Sequence, residues 1–93
     1  MADYYDRDGN PMKLMDWAVK FEDLDYKRVA FTKVGDLEVS TVWLGLDHGR
    51  LADQRLIFET IVFGAPEERM QRYATLEDAE RGHVELVEEL QRV

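Results

Sequence analysis

The most regular pattern of apolar positions lies in the last nineteen residues of the chain. Positions three and four residues apart form one side, and charged residues fill the other; the first set is Leu76, Ala79, His83, Leu86, Val87, Leu90 and Val93. This spacing predicts a long amphipathic helix with its apolar stripe turned inward. Thr75 stands at the N-cap position of this helix, and Asp78 stands at the position of a capping-box acid.

A shorter helical pattern begins at Leu14. Its apolar residues recur at i, i+3, i+4 and i+7 and predict one inward stripe: Leu14, Trp17, Ala18 and Phe21. The segment "EDLD" then ends the helix. Before it, "YYDRDGNPM" indicates a short extended piece followed by a turn, because Asp-Gly and Asn-Pro interrupt regular structure.

Between the helices, four runs of strand-forming residues follow one another: 27–34, 37–44, 56–63 and 69–74. Gly35-Asp36 predicts a tight hairpin between the first two, and Val29 and Phe31 are expected on one face. The third run, "LIFETIVF", is apolar on both faces, so we expect both faces of the sheet to be covered. Either each helix takes one face, or the second face meets another copy of the protein.

This order of elements predicts one α+β domain over residues 1–93. Its centre is an antiparallel four-stranded meander, because the connections between strands are short. A short N-terminal helix and a long C-terminal amphipathic helix flank the sheet.

Composition and charge narrow the functional classes. The 93 residues include no cysteine, which excludes disulfides, a thiol nucleophile and a cysteine-rich zinc site. A net charge of −8 argues against binding to nucleic acid or to an anionic membrane, which requires local positive potential. The sequence has neither a signal-peptide pattern nor a long apolar run, so we expect a cytoplasmic protein.

The turn "GLDHG" is the first candidate site, since Asp47 and His48 stand side by side where a strand ends. A catalytic histidine needs an orienting partner and a pocket, and neither is visible in the sequence. Asp47 also suits a turn, because its carboxylate can accept hydrogen bonds from nearby backbone amides. The favoured interpretation is a structural corner, with Asp47, His48 and Arg50 retained as candidate ligand or interaction residues.

Glu59 and His83 are the other candidates, because both interrupt apolar patterns. The His83 ring is expected to face the sheet and to find a partner in a backbone carbonyl, in Thr41 or Thr60, or in Glu59. Glu59 is expected to be buried, to lie on a sheet edge or to pair with an arginine such as Arg28 or Arg72. The neighbouring Gly82 indicates that the helix passes close to something.

A metal site is the alternative to a structural role for these residues. His48, Glu59 and His83, with or without Asp47, supply the ligand types of zinc or iron sites. Their positions match no signature spacing, so we expect no metal and no cofactor.

The segments "YYDRDGNPM", "VSTVWLGLDHG", "LIFETIVFG" and "RYATLEDAERGHVELVEEL" together resemble a family of small proteins associated with phages, prophages and bacteria. The resemblance covers nearly the whole chain and is most specific in "VSTVWLGLDHG" and "LIFETIVFG". Relatives often carry a glycine-rich stretch where this chain has "RLADQR". The resemblance implies an origin but no reaction, and it transfers no catalytic residue.

These observations favour a non-enzymatic, acidic protein that acts through a protein partner, with a homodimer as one possibility. Its contact surface is expected in the loop from Asp47 to Gln54 and the neighbouring strand ends. Two alternatives stay open: a small-ligand or metal-binding protein built around His48, Glu59 and His83, and an acidic mimic of nucleic acid.

Overall fold

A computed structural model describes residues 4–47, 55–66 and 69–92. The elements follow in the order β1 (Tyr4–Tyr5), β2 (Pro11–Met12), α1 (Leu14–Glu22), α2 (Leu24–Lys27), β3 (Arg28–Val34), β4 (Leu37–Trp43), β5 (Phe58–Phe63), β6 (Arg69–Tyr73) and α3 (Leu76–Gln91). Strands β3 to β6 form one antiparallel sheet in chain order, which confirms the α+β fold and the four-stranded meander. Gly35 closes the first hairpin with a φ of +61°, a value that glycine adopts without strain.

One face of this sheet, called the inner face, is buried beneath α3. Alternate side chains of the two central strands point into it and are almost fully shielded from solvent: Val39, Thr41, Trp43, Phe58, Thr60 and Val62. Helix α3 packs across all four strands. Its predicted stripe is confirmed at Ala79 and His83, which are buried, and Leu76 packs against the same core.

Helix α1 extends the same layer at the end of the sheet marked by Trp43. The indole of Trp43 donates a hydrogen bond to the carbonyl oxygen of Tyr5 at 2.9 Å, and the Phe21 ring lies 6.4 Å from the Trp43 ring. Of the two alternatives left open by the sequence, the one in which each helix covers one face does not hold, because the contact with Trp43 places α1 on the side that α3 occupies. Leu14 does not join the inward stripe and is 54% exposed.

The extended piece and the turn predicted in "YYDRDGNPM" are confirmed by β1 and by the turn at residues 7–9, whereas the pairing of β1 with a second strand and the helix α2 were not predicted. Strands β1 and β2 pair as a two-residue antiparallel ribbon, and Tyr4 of this ribbon also bridges to Leu46. Helix α2 begins where the helix was expected to end, because the Asp23 carboxylate accepts hydrogen bonds from the backbone amides of Asp25 and Tyr26.

An irregularity in β3 changes the faces of its side chains. The register between β3 and β4 shifts between Arg28 and Ala30, as in a β-bulge. Val29 consequently packs against the core, whereas Phe31 pairs with Ser40 on the opposite face. The prediction that Val29 and Phe31 share a face is wrong for this reason.

Candidate functional site

His83 lies on the side of α3 that meets the sheet, and it is only 4% exposed. Helix α3 begins as predicted, with the Thr75 hydroxyl accepting a hydrogen bond from the amide of Asp78 at 3.0 Å. Two turns further, the His83 ring nitrogens reach two hydroxyls: Nδ1 is 2.7 Å from Oγ1 of Thr41, and Nε2 is 2.9 Å from Oγ1 of Thr32. The predicted orientation and the predicted partner Thr41 are confirmed. Thr32 was not predicted.

The hydrogen bonds continue from Thr41 to Thr60. These residues are directly paired on β4 and β5, and their hydroxyl oxygens are 2.5 Å apart. The resulting chain, called the His83 network, comprises Thr32, His83, Thr41 and Thr60. It ties α3 to three adjacent strands through side chains whose polar atoms are all satisfied, as buried polar groups require.

The His83 network tolerates either neutral tautomer of the ring, because each threonine hydroxyl can donate or accept. Burial lowers the pKa of His83, since the charged imidazolium loses its hydration there. The ring is thus neutral near pH 7. Its inaccessibility makes this network a structural element that fixes helix and sheet, without contact to an external substrate.

Glu59 lies on the other face of the sheet. It is only 9% exposed, and it is paired across β5 and β6 with Arg72. Nε of Arg72 donates a hydrogen bond to Oε2 of Glu59 at 3.2 Å. Arg72 was one of the two predicted partners. Because Thr60, the next residue, faces His83, the carboxylate of Glu59 and the imidazole of His83 lie on opposite sides of the sheet and do not converge.

The remaining candidates fall at the corner after β4. Asp47 is exposed, and His48 and Arg50 lie outside the described residues, as does the predicted contact loop beyond Asp47. Among residues 4–47, 55–66 and 69–92, no group of three or more acidic or histidine side chains is arranged to hold a metal ion. No helix in this part of the chain is long and apolar enough to cross a membrane.

Gly45 in this corner has a packing role. Its φ is +74°, and a Cβ atom there would lie 2.5 Å from the Trp43 ring and 2.6 Å from the Trp17 ring. The Trp17 indole also donates to the carbonyl oxygen of Leu44 at 2.9 Å. Glycine at this position therefore allows the rings of Trp17 and Trp43 to pack against the backbone at the end of β4.

Three of the six acidic residues of α3 form ion pairs with arginines. The Arg69 guanidinium pairs with Glu89 at 2.6 Å, and Arg81 pairs with Asp78 and lies 3.9 Å from Glu77. These arginines offset part of the negative charge of α3, and the nucleic-acid mimic stays a prediction.

The sheet face opposite α3, called the outer face, carries the largest exposed apolar side chains of the sheet. The strand pairing arranges it in three rows: Arg28, Val42, Glu59 and Arg72; then Phe31, Ser40, Ile61 and Met70; then Lys33, Glu38 and Phe63. Phe31, Phe63 and Met70 are 41%, 50% and 51% exposed. The two-faced apolar character of "LIFETIVF" was the sequence signal for this surface.

Comparisons with family models, with curated proteins and with solved structures give no match to this chain. The geometry of the described residues is therefore the basis for a functional conclusion.

Proposed function

We propose that this chain is a non-enzymatic protein that acts through protein–protein contacts made by its outer face. The observation that carries the proposal is the row Phe31, Ser40, Ile61 and Met70, in which three bulky apolar side chains cross the whole sheet. Exposed apolar side chains grouped on one face of a small domain are typical of an interaction site.

The polar network on the other side of the sheet supports a contact function over a catalytic one. His83, the only histidine among the described residues, is fully engaged with threonine hydroxyls and buried. A general base must reach a substrate proton, and a ring in this position does not. The proposal extends to a cytoplasmic setting and to a phage or prophage origin, which the family resemblance suggests, with host machinery as the class of partner.

A pair of methionine variants tests this function. Met70→Glu places a carboxylate on the outer face, and Met15→Glu places one on α1, where the native side chain is 74% exposed. The immobilised wild-type chain and both variants are exposed to a bacterial lysate and to the wild-type chain itself. We expect protein retained by the wild type and by Met15→Glu to be lost with Met70→Glu.

Retention of nothing by the wild-type chain would contradict the proposal. Equal retention by both variants would also contradict it, since the contact would then lie elsewhere. Far-UV circular dichroism of each variant checks that the sheet is intact.

A further inference from the structure

We propose that the outer face binds the outer face of a second copy of this chain, in a two-fold symmetric dimer. This inference rests on the proposed function, because it names the partner of the same surface. Three properties of the described residues support it: the charge of the face, its dimensions and the order of large and small side chains across it.

The charge of the outer face differs from that of the chain as a whole. Its rows hold three basic residues and two acidic ones, a net charge of +1, in a chain of net charge −8: Arg28, Lys33 and Arg72 against Glu38 and Glu59. Two copies approaching through any strongly acidic surface would repel each other. The outer face carries only a small net charge, and four of its five charged residues form pairs within one copy, Glu59 with Arg72 and Lys33 with Glu38.

The dimensions of the face suit a small interface. A sheet of four strands, each about six residues long, covers about 400 Å² when measured flat, from the usual strand spacing and rise. Side chains protruding from the sheet add to this area, and stable complexes bury about 800 Å² on each partner. The flat area is about half of this figure, so we expect a weak interface with a dissociation constant of about 1–100 μM.

The middle row provides shape complementarity under two-fold symmetry. If the axis runs parallel to the strands between β4 and β5, Ser40 of one copy lies opposite Ile61 of the other. The same rotation places Phe31 opposite Met70, and contact between a methionine sulfur and an aromatic ring is favourable. In the first row it sets Arg28 opposite Arg72, whose guanidinium is already paired with Glu59 of its own copy. Two aligned sheets about 10 Å apart pack in this way in β-sandwiches.

Sedimentation equilibrium across a concentration series tests the dimer directly. We expect the mass of the wild-type chain to rise from 10.9 kDa toward twice that value between about 1 μM and 1 mM. Met70→Glu should weaken dimerisation about tenfold or more, because it buries a carboxylate in the interface. Met15→Glu should leave the dissociation constant within about twofold.

A cysteine probe provides an independent measurement, because the native chain has no thiol. Ser40→Cys should form a covalent dimer with a short bis-maleimide, whereas Glu88→Cys, on an exposed position of α3, should not. This comparison keeps the proposal testable even if Met70→Glu fails to fold.

Two outcomes would overturn the dimer: a wild-type chain that stays monomeric to about 1 mM, or a dimer that both methionine variants weaken equally. If the chain is monomeric but a Met70-dependent partner is retained from lysate, the dimer fails and the proposed function stands. If neither self-association nor such retention is observed, both fail.

Discussion

Nδ1 of His83 lies 2.7 Å from Oγ1 of Thr41, so that a hydrogen bond joins α3 to the second strand of the sheet in the buried layer between them. The Thr41 hydroxyl also meets the Thr60 hydroxyl on the next strand. A hydrogen bond in this buried layer is directional, whereas apolar contacts allow one element to shift relative to the other. The His83 network therefore fixes the position of α3 along and across the sheet.

Replacing His83 by alanine tests the structural role of this network. The substitution opens a cavity and leaves the hydroxyls of Thr32 and Thr41 without their ring partner, so we expect the free energy of unfolding to fall by about 2–4 kcal/mol. Val84→Ala, at the exposed neighbouring position, should change it by less than about 0.5 kcal/mol. Urea denaturation measures both. The loss should be the same with and without added zinc, and a zinc-dependent loss would instead indicate a metal ligand.

The lowered pKa of His83 predicts how stability depends on pH. Well above about pH 6.5 the folded and unfolded rings are both neutral, and the contribution of His83 to stability is fully present. As the pH falls below that value, the unfolded ring becomes protonated while the buried ring stays neutral. The free energy of unfolding therefore decreases. The decrease stops once the pH passes below the folded pKa.

Urea denaturation between pH 7.5 and 5.5 should show this decrease, with a slope of at most about 1.4 kcal/mol per pH unit from one proton. The slope should persist in His48→Gln and disappear in His83→Gln. An unchanged slope in His83→Gln would assign the pH dependence to other groups.

The sequence was sufficient to predict the parts of the fold with a clear period. The apolar residues of α3 recur at the three- and four-residue spacing of a helix. The strands from β3 to β6 are bounded by turn residues such as Gly35. The pairing of β1 with β2 was missed because a strand of two residues is too short to show a periodic pattern. Helix α2 was missed because Asp23, within an acidic cluster, looked like the end of a helix and proved to be an N-cap.

The candidate site was predictable only in part, for a similar reason. His83 stands out within an apolar stripe, and its partner Thr41 was identifiable. Thr60, the alternative partner, contacts Thr41 and not the ring. Thr32 has no local signal, because its face depends on the bulge near Val29 and on the register with β4. The outer face required knowledge of where α1 packs, which depends on a tertiary contact with Trp43.

Gly82→Ala tests the close approach of α3 to β6. Alanine favours a helix by about 1 kcal/mol over glycine. A Cβ atom at this position would nevertheless lie 2.6 Å from Cζ of Tyr73, whose side chain is 9% exposed. We expect the overlap to dominate and to lower the free energy of unfolding by about 1–3 kcal/mol.

A double-mutant cycle isolates this contact, because Tyr73→Leu removes the atoms that the new methyl group would meet. In that background Gly82→Ala should become neutral or stabilising. Stabilisation by Gly82→Ala in the native background would show that helix and strand do not meet as closely as described.

The two ion pairs of the outer face offer a matched comparison of burial. The Glu59 side chain is 11% exposed and pairs with Arg72 at 3.2 Å, whereas Lys33 and Glu38 are 68% and 43% exposed and 3.9 Å apart. Solvent screens the second pair far more than the first. Double-mutant cycles with neutral glutamine should give a coupling energy of about 1–2 kcal/mol for Glu59–Arg72 and below about 0.5 kcal/mol for Lys33–Glu38.

Raising the salt concentration should reduce the second value proportionally more than the first, because screening acts mainly on exposed charges. Equal coupling energies for the two pairs would mean that Glu59 is as well hydrated as Glu38, and the burial described for this face would be wrong.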